Sequence, residues 1–157
     1  MNKIVGIGEC AVSNNKNDIL KTFALASCVA MTVYCPITNA AGMVHIALPA
    51  PNQLNDNCNY RLYYYATTAV PLLISRMCNK YGCRKNDLKI KLFGGADSIQ
   101  VNDMFEIGKK NLNIIKRSLA HLGLQYNASE TGGKYSRTLE MDVSTGDIKL
   151  TLQPIKI

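Results

Sequence analysis

Apolar residues alternate with small or polar residues along two neighbouring stretches of the chain, 29–35 and 42–48. Because successive side chains of a strand point to opposite faces of its sheet, this period predicts two strands. The intervening residues 36–41 contain a proline and an asparagine, which favour a turn. We therefore expect a hairpin in which Cys35 lies opposite Gly42.

The two faces of this predicted hairpin differ in composition. One face is aliphatic and carries Val29, Met31, Val33, Val44, Ile46 and Leu48. The other face is small and polar and carries Cys28, Ala30, Thr32, His45 and Ala47. We predict that the aliphatic face packs against the core and that the opposite face has room for a cavity.

Two segments show the three- and four-residue spacing of amphipathic helices. The first spans residues 59–81 and precedes a capping glycine, and Pro71 is expected to kink or split it. The second spans about 107–122 and stops at Gly123.

Shorter apolar segments predict further strands near residues 3–13, 88–93, 138–143 and 147–153, the last two joined by a Ser-Thr-Gly turn. Because strands outnumber helices and short turns connect them, the fold class is α/β. We predict a layered α/β sandwich with a mixed, mostly antiparallel sheet. The length of 157 residues and the absence of a linker or repeat predict one domain over 1–157.

The charge of the chain is unevenly distributed. Its formal net charge is +7, and most of the excess lies between Arg76 and Arg117, whereas no charged residue occurs from Thr22 to Asn55. The basic region indicates either an acidic partner or a solvated face. Since no uninterrupted apolar run approaches the roughly 18–20 residues that a bilayer requires, we expect no membrane insertion. No export signal is recognised, so we expect a soluble, cytoplasmic protein.

The cysteines and histidines limit the possible chemistry. Six cysteines occur without a C-x-x-C pair, so we expect reduced thiols and no metal site. His121 is interpreted as a surface residue at a helix end. His45 shares the polar face of the predicted hairpin with Cys28, where a structural role and a catalytic pair are both possible. In the second case an imidazolium would stabilise the thiolate, and Thr22 could orient the ring through its hydroxyl.

Several motifs together resemble the chemoreceptor glutamine deamidase family of bacterial chemotaxis, CheD. The first two are Lys-Thr-Phe-Ala-Leu-Ala-Ser-Cys-Val-Ala, which begins at Lys21, and Gly-Met-Val-His-Ile-Ala-Leu-Pro, which begins at Gly42. Later matches are Phe-Gly-Gly-Ala from Phe93, Ile-Gly-Lys-Lys-Asn from Ile107 and Gly-Gly-Lys-Tyr-Ser-Arg from Gly132. Without the resemblance, the two glycine pairs indicate tight turns or close backbone approach.

This resemblance implies a Cys28–His45–Thr22 triad, without a cofactor, that hydrolyses receptor glutamine side chains to glutamate and ammonia. It also implies the sandwich fold of deamidating toxins of the cytotoxic necrotizing factor type, and a CheC-type chemotaxis phosphatase as a partner. The basic region is one candidate surface for that partner. The chain departs from the family pattern at Ala26 and Ser136, where the family usually has glycine.

Two other functions compete with this interpretation. The chain could regulate receptors and the phosphatase by binding alone, or it could be a small nucleic-acid binder, which the lack of aromatic–basic motifs disfavours. The predicted hairpin also raises a geometric difficulty. It sets His45 opposite Thr32, four residues from Cys28, which is about 13 Å along a strand.

Overall fold

The computed structural model describes residues 1–51, 61–97 and 106–155. Within these ranges, nine strands and two α-helices follow one another along the chain. They are β1 (Asn2–Ile4), β2 (Cys10–Ser13), β3 (Ile19–Leu25), β4 (Val29–Cys35), β5 (Ala40–Ile46), α1 (Ala66–Tyr81), β6 (Lys89–Gly94), α2 (Ile107–His121), β7 (Asn127–Thr131), β8 (Tyr135–Asp142) and β9 (Ile148–Pro154). A short 3-10 helix, Lys85–Asp87, precedes β6.

The strands form two sheets. One has four strands in the order β1-β3-β8-β9, and the other has five in the order β2-β5-β4-β6-β7. The pairs β1–β3 and β6–β7 are parallel, and the other five pairs are antiparallel. The prediction of a mixed, mostly antiparallel arrangement is therefore confirmed, but the strands are divided between two sheets.

The five-stranded sheet lies between two apolar layers. One of its faces packs with α1 and α2 around Met31, Ile46, Leu73 and Ile115. Its other face packs against the four-stranded sheet around Ala30, Met43, Leu20 and Leu139. The predicted aliphatic face is thus the helix-covered face. The opposite face is covered by the second sheet, and a cavity of about 150 Å³ next to Thr32, lined also by Tyr34 and Met141, lies between the sheets as predicted for this face.

The hairpin register differs from the prediction by two residues. Cys35 pairs with Ala40 rather than Gly42, and His45 pairs with Ala30. The connecting loop is therefore shorter than predicted, because β5 begins at Ala40. A shift of two residues keeps every side chain on its predicted face, since the side-chain period of a strand is two.

Helix α1 begins at Ala66 rather than at residue 59, and residues 59 and 60 lie outside the described part of the chain. The segment before the helix is held in another way, because the carbonyl of Tyr64 accepts hydrogen bonds from the N–H groups of Ala47 and Leu48, just after β5. Pro71 does not divide the helix. It lies in the second turn, where a proline removes one backbone bond close to the helix start.

The remaining strand predictions differ at their ends or in number. The single strand region predicted at 3–13 is two strands in different sheets, β1 and β2. Strands β3 and β7 were not predicted. Strands β6, β8 and β9 and helix α2 occur where predicted, with ends that differ by at most three residues.

Candidate active site

The three residues predicted to act together come from both sheets and from the connection between them. Thr22 lies in β3 of the four-stranded sheet, and His45 lies in β5 of the five-stranded sheet. Cys28 lies in the segment 26–28, where the chain crosses from one sheet to the other. The site is therefore built in the layer between the sheets, at the point where the chain changes sheet.

The observed register brings Cys28 closer to His45 than the predicted one did. Ala30 lies directly opposite His45, and Cys28 precedes Ala30 by two residues. Diagonal neighbours in an antiparallel pair have Cα atoms about 7–8 Å apart, a distance that aromatic and other long side chains can span. Cys28 also packs with the apolar cluster between the sheets, so its side chain faces the same layer. The separation along the strand thus falls from four residues to two, and no hydrogen bond joins the Cys28 thiol to Nε2 of His45.

Thr22 contacts His45 directly. The threonine Oγ1 lies 2.7 Å from Nδ1 of the ring, and it donates to the carbonyl oxygen of Val5, also at 2.7 Å. A hydroxyl has a single proton, and a carbonyl can only accept, so the proton between threonine and histidine must come from Nδ1. We therefore assign the Nδ1–H tautomer, which leaves Nε2 with a free lone pair.

The second ring nitrogen has no partner in the described part of the chain. Nε2 of His45 is buried and makes no hydrogen bond there, and the residue as a whole is 3% exposed. Burial lowers the pKa of His45 from 6.5 to about 4. The imidazole is consequently neutral at pH 7 and can act as a base through Nε2.

The thiol is also neutral in this structure. Burial raises the pKa of Cys28, and the backbone N–H of the same residue opposes the shift by stabilising the thiolate. The expected pair of imidazolium and thiolate is therefore replaced by two neutral groups. If these two groups react together, the proton would pass from sulfur to nitrogen during the attack rather than before it.

Backbone groups of the N-terminal segment form hydrogen bonds with His45 and Thr22. His45 donates its backbone N–H to Glu9 and accepts from the N–H of Gly8. Val5 supplies the carbonyl that fixes the Thr22 hydroxyl. Sequence reasoning missed these residues, because a backbone carbonyl or N–H can be supplied by almost any residue type.

The segment that carries Cys28 is fixed by its backbone carbonyls. The carbonyl of Ala26 accepts from the N–H of Ala96, and that of Cys28 accepts from the N–H of Gly95. The carbonyl between them, that of Ser27, accepts from the side chain of Asn111. All three consecutive carbonyls are therefore bonded to elements that follow β6.

Gly94 must be glycine at this place. A Cβ on Gly94 would lie 2.3 Å from the carbonyl oxygen of Cys28, and its φ of +103° is a conformation that other residues rarely adopt. The close-approach interpretation of Gly94-Gly95 is thus confirmed. Gly132 illustrates the other interpretation, since it has a φ of +75° in a turn and a Cβ there would meet nothing within 4 Å.

A buried arginine closes that turn. Arg137 donates from Nη2 to the carbonyl of Gly132 and from Nη1 to that of Tyr135, while its Nε has no partner in the described chain. Burial lowers the pKa of this guanidinium. Since the N–H of Gly132 donates to Gly94, the turn is connected to the glycine that packs on Cys28.

The two positions that depart from the family pattern are tolerated by the backbone. Neither Ala26 nor Ser136 has a positive φ, so a residue with a side chain fits both without the strain that would require glycine.

The other sequence candidates lie elsewhere. His121 is the last residue of α2 and is exposed, as expected. The five described cysteines are free, and Cys58 lies outside the described residues. In the described ranges, no group of three or more His, Cys, Asp or Glu side chains could hold a metal ion. None of the helices seen there is long and apolar enough to span a membrane.

Comparison with sequence families gives one consistent result. The family model described as CheD chemotactic sensory transduction matches residues 47–152. This match begins after Thr22, Cys28 and His45, so it does not test the assignment of these three residues.

Individual relatives cover nearly the whole chain. The "Probable chemoreceptor glutamine deamidase CheD" of Syntrophotalea carbinolica is 41% identical over 94% of this chain and 92% of its own length. The protein of the same name from Pyrococcus horikoshii is 38% identical over 93% of this chain and 89% of its own length. The "Chemoreceptor glutamine deamidase CheD" of Thermotoga maritima is 33% identical over 94% and 90%.

Among solved structures, the Bacillus licheniformis hypothetical protein YfiH has a similar fold. Its TM-score is 0.51 at 13% identity, and the match covers 78% of this chain and 51% of that one. At this identity the likeness concerns the fold alone. The expected likeness to deamidating toxins stays a prediction.

Proposed function

Because this chain belongs to the CheD family, we propose that it is a protein-glutamine deamidase. Its substrates would be glutamine side chains of chemoreceptors, which it would convert to glutamate with release of ammonia. The proposal extends to this chain the activity for which its relatives are named. The observation that carries it is the His45 ring, whose Nδ1–H is held by Thr22 while Nε2 is buried without a partner in the described part of the chain.

The first chemical step follows from the neutral state of both groups. Sγ of Cys28 attacks Cδ of the glutamine side chain, and Nε2 of His45 takes the thiol proton. A carbon–sulfur bond forms, and the carbonyl electron pair moves to the oxygen. Backbone N–H groups near Cys28 are the proposed donors to this oxyanion, and a single such donor is typically worth ~3 kcal/mol.

The second step releases ammonia, and the third regenerates the enzyme. The imidazolium formed in the first step gives its Nε2 proton to the amide nitrogen as the carbon–nitrogen bond breaks, which leaves a thioester on Cys28. Water then attacks the thioester carbon and passes a proton to Nε2. The carbon–sulfur bond breaks, and the thiol recovers its proton from His45.

Thr22 has a defined task in this scheme. It accepts from Nδ1–H in every step, so the ring keeps one orientation while Nε2 gains and loses the proton. The bond from Thr22 to the Val5 carbonyl prevents its hydroxyl from donating to the ring, which would favour the wrong tautomer.

The test is ammonia release from a chemoreceptor cytoplasmic fragment, with mass spectrometry to locate any glutamine-to-glutamate conversion. Cys28→Ala should abolish both signals. Cys78→Ala is the matched control, because Cys78 is a partly buried, free cysteine in α1. Turnover by Cys28→Ala would refute the assignment. If neither the wild type nor the two variants release ammonia but all three bind the fragment, the chain is the non-catalytic regulator considered above.

The CheC-type phosphatase stays a separate proposal, with the basic region between Arg76 and Arg117 as its candidate surface. The groove between α1 and α2 is lined in part by Arg117 and His121. If the phosphatase binds there, Arg117→Glu should weaken its affinity, and added salt should do the same. Unchanged affinity would exclude this surface.

A further inference from the structure

Asn111 is an unusual residue for its place in the fold. It lies in the second turn of α2 and is completely buried, among helix positions that are otherwise small or aliphatic, namely Gly108, Leu112, Ile115 and Leu119. A buried amide is unfavourable unless its polar atoms are bonded. The hydrogen bonds of the Asn111 side chain therefore indicate its role.

Both protons of its Nδ2 are used on the backbone of the candidate active site. Nδ2 donates to the carbonyl of Ser27 and to that of Ala47, each at 3.0 Å. Ser27 directly precedes Cys28, and Ala47 follows His45 by two residues. One side-chain nitrogen thus joins the segment that carries the thiol to the strand end that carries the imidazole.

The orientation of this amide is fixed by its partners. Two carbonyl oxygens can only accept, so the NH₂ group must face them, and Oδ1 must point away. Oδ1 is buried and has no partner in the described part of the chain. An unpartnered buried acceptor is destabilising. Packing alone would be served better by leucine at this position.

Helix α2 is also held close to the same segment by its backbone. A Cβ on Gly108 would lie 2.3 Å from the carbonyl oxygen of Ala96, so the helix approaches the 95–96 segment too closely for a side chain. Gly95 and Ala96 in turn donate to the carbonyls on either side of Ser27. Asn111 therefore lies on a helix that packs closely against residues 95–96.

We propose that Asn111 is a positioning residue of the deamidation reaction, which keeps Cys28 and His45 in register through Ser27 and Ala47. This inference rests on the proposed function. Asn111 contacts no reacting atom, so its loss should lower kcat and leave KM within about twofold. Misplacement of reacting groups by ~1 Å can cost about 100-fold, and we expect Asn111→Leu to lower kcat by about 10- to 100-fold.

A second variant separates positioning from simple destabilisation. Asn111→Asp has nearly the same shape, but its carboxylate oxygens would face two carbonyl oxygens and repel them. When protonated, the carboxyl gains one O–H and can restore one of the two bonds. Burial raises a carboxyl pKa above its usual value of about 3.9.

The pH dependence of the two variants should therefore differ. The kcat of Asn111→Asp relative to wild type should rise at least about threefold from pH 8 to pH 5.5, as its buried carboxyl takes up a proton. The same ratio for Asn111→Leu should stay flat, because leucine does not titrate. Asn113, exposed on the same helix, supplies matched controls as Asn113→Leu and Asn113→Asp, both with wild-type kinetics.

Hydrogen exchange gives a readout that does not require turnover. In Asn111→Leu, backbone exchange should increase at residues 26–28 and 46–48 and stay unchanged in β8 and β9. A wild-type kcat in folded Asn111→Leu, or parallel pH profiles for the two Asn111 variants, would overturn the inference. If the wild type releases no ammonia, the proposed function fails, and unchanged exchange at 26–28 would then refute the positioning role separately.

Discussion

The two faces of the β4–β5 hairpin contrast in what they contribute. The helix-covered face is aliphatic, with Val29, Met31, Val33, Val44 and Ile46 packed against α1 and α2. The face toward the second sheet combines apolar residues with buried polar ones, among them Thr32 and His45, and meets Thr22 and Arg137 of the other sheet. Neighbouring residues of the same strands thus belong to different environments.

The contrast shows how the fold can accommodate an unfavourable site. His45 Nε2 and Arg137 Nε are buried in the described chain without a partner, and each such group costs about 1–3 kcal/mol. The aliphatic face offsets this cost with apolar burial that needs no polar partner. Substitutions on the helix-covered face should therefore affect stability, and those on the inter-sheet face should affect activity.

His45→Gln should have the largest effect on activity. Glutamine can hydrogen-bond but cannot take up the thiol proton, so kcat should fall by at least about 1,000-fold. Urea unfolding at pH 7 should show a similar midpoint to wild type. A variant that keeps more than a tenth of the wild-type kcat would place the base elsewhere.

Met31→Ala should show the opposite behaviour. Met31 is fully buried on the helix-covered face of β4, and truncation of such a side chain costs about 2–5 kcal/mol. The urea midpoint should decrease accordingly, while kcat per folded molecule stays within about twofold of wild type. A large loss of kcat in the folded variant would show that the two faces are not independent.

The same contrast should appear in the pH dependence of stability. The pKa of His45 is about 4 in the folded protein and close to its ordinary value of 6.5 when unfolded. Between these values the unfolded chain binds the extra proton, so stability falls as pH decreases from about 6.5 to about 4 and then levels off for this group. The loss is about 3 kcal/mol.

His45→Gln isolates this effect, because all other titrating groups are common to both proteins. The unfolding free energy of wild type minus that of the variant should decrease by about 3 kcal/mol from pH 7 to pH 4. Parallel curves from urea titrations at each pH would show that the imidazole is not kept neutral by burial.

The sequence predicted some elements of this contrast and missed others for physical reasons. Strand β4 has the predicted bounds, and the two faces of the hairpin are sorted as expected, because alternation of side chains survives a two-residue shift. The register itself depends on loop length, which the residues of the turn did not determine. Strand β3 was not predicted for two reasons. The polar Thr22 lies on its buried face, and a register shift between Thr22 and Leu25 disrupts the alternation of buried and exposed residues.

The candidate site was predictable to the same limited degree. Motif resemblance pointed to Cys28, His45 and Thr22, and the contact of Thr22 with Nδ1 agrees with that grouping. The residues that position these three side chains could not be predicted from the sequence. Val5 contributes a carbonyl that any residue could offer, and Asn111 reaches the site only through the packing of α2. The neutral state of the pair also depends on burial between two sheets.

Thr22 provides the smallest and most selective test of the inter-sheet face. Thr22→Val removes the acceptor for Nδ1–H, so the proton can move to Nε2, where it blocks the base. Because the lost partner is neutral, we expect kcat to fall by about 100-fold, well below the loss for His45→Gln. Thr22→Ser keeps the hydroxyl and should stay within about threefold of wild type. Nitrogen NMR of the imidazole should report the Nδ1–H tautomer in wild type and Thr22→Ser and a mixture in Thr22→Val. Equal kcat values for the valine and serine variants would show that the hydroxyl does not orient the ring.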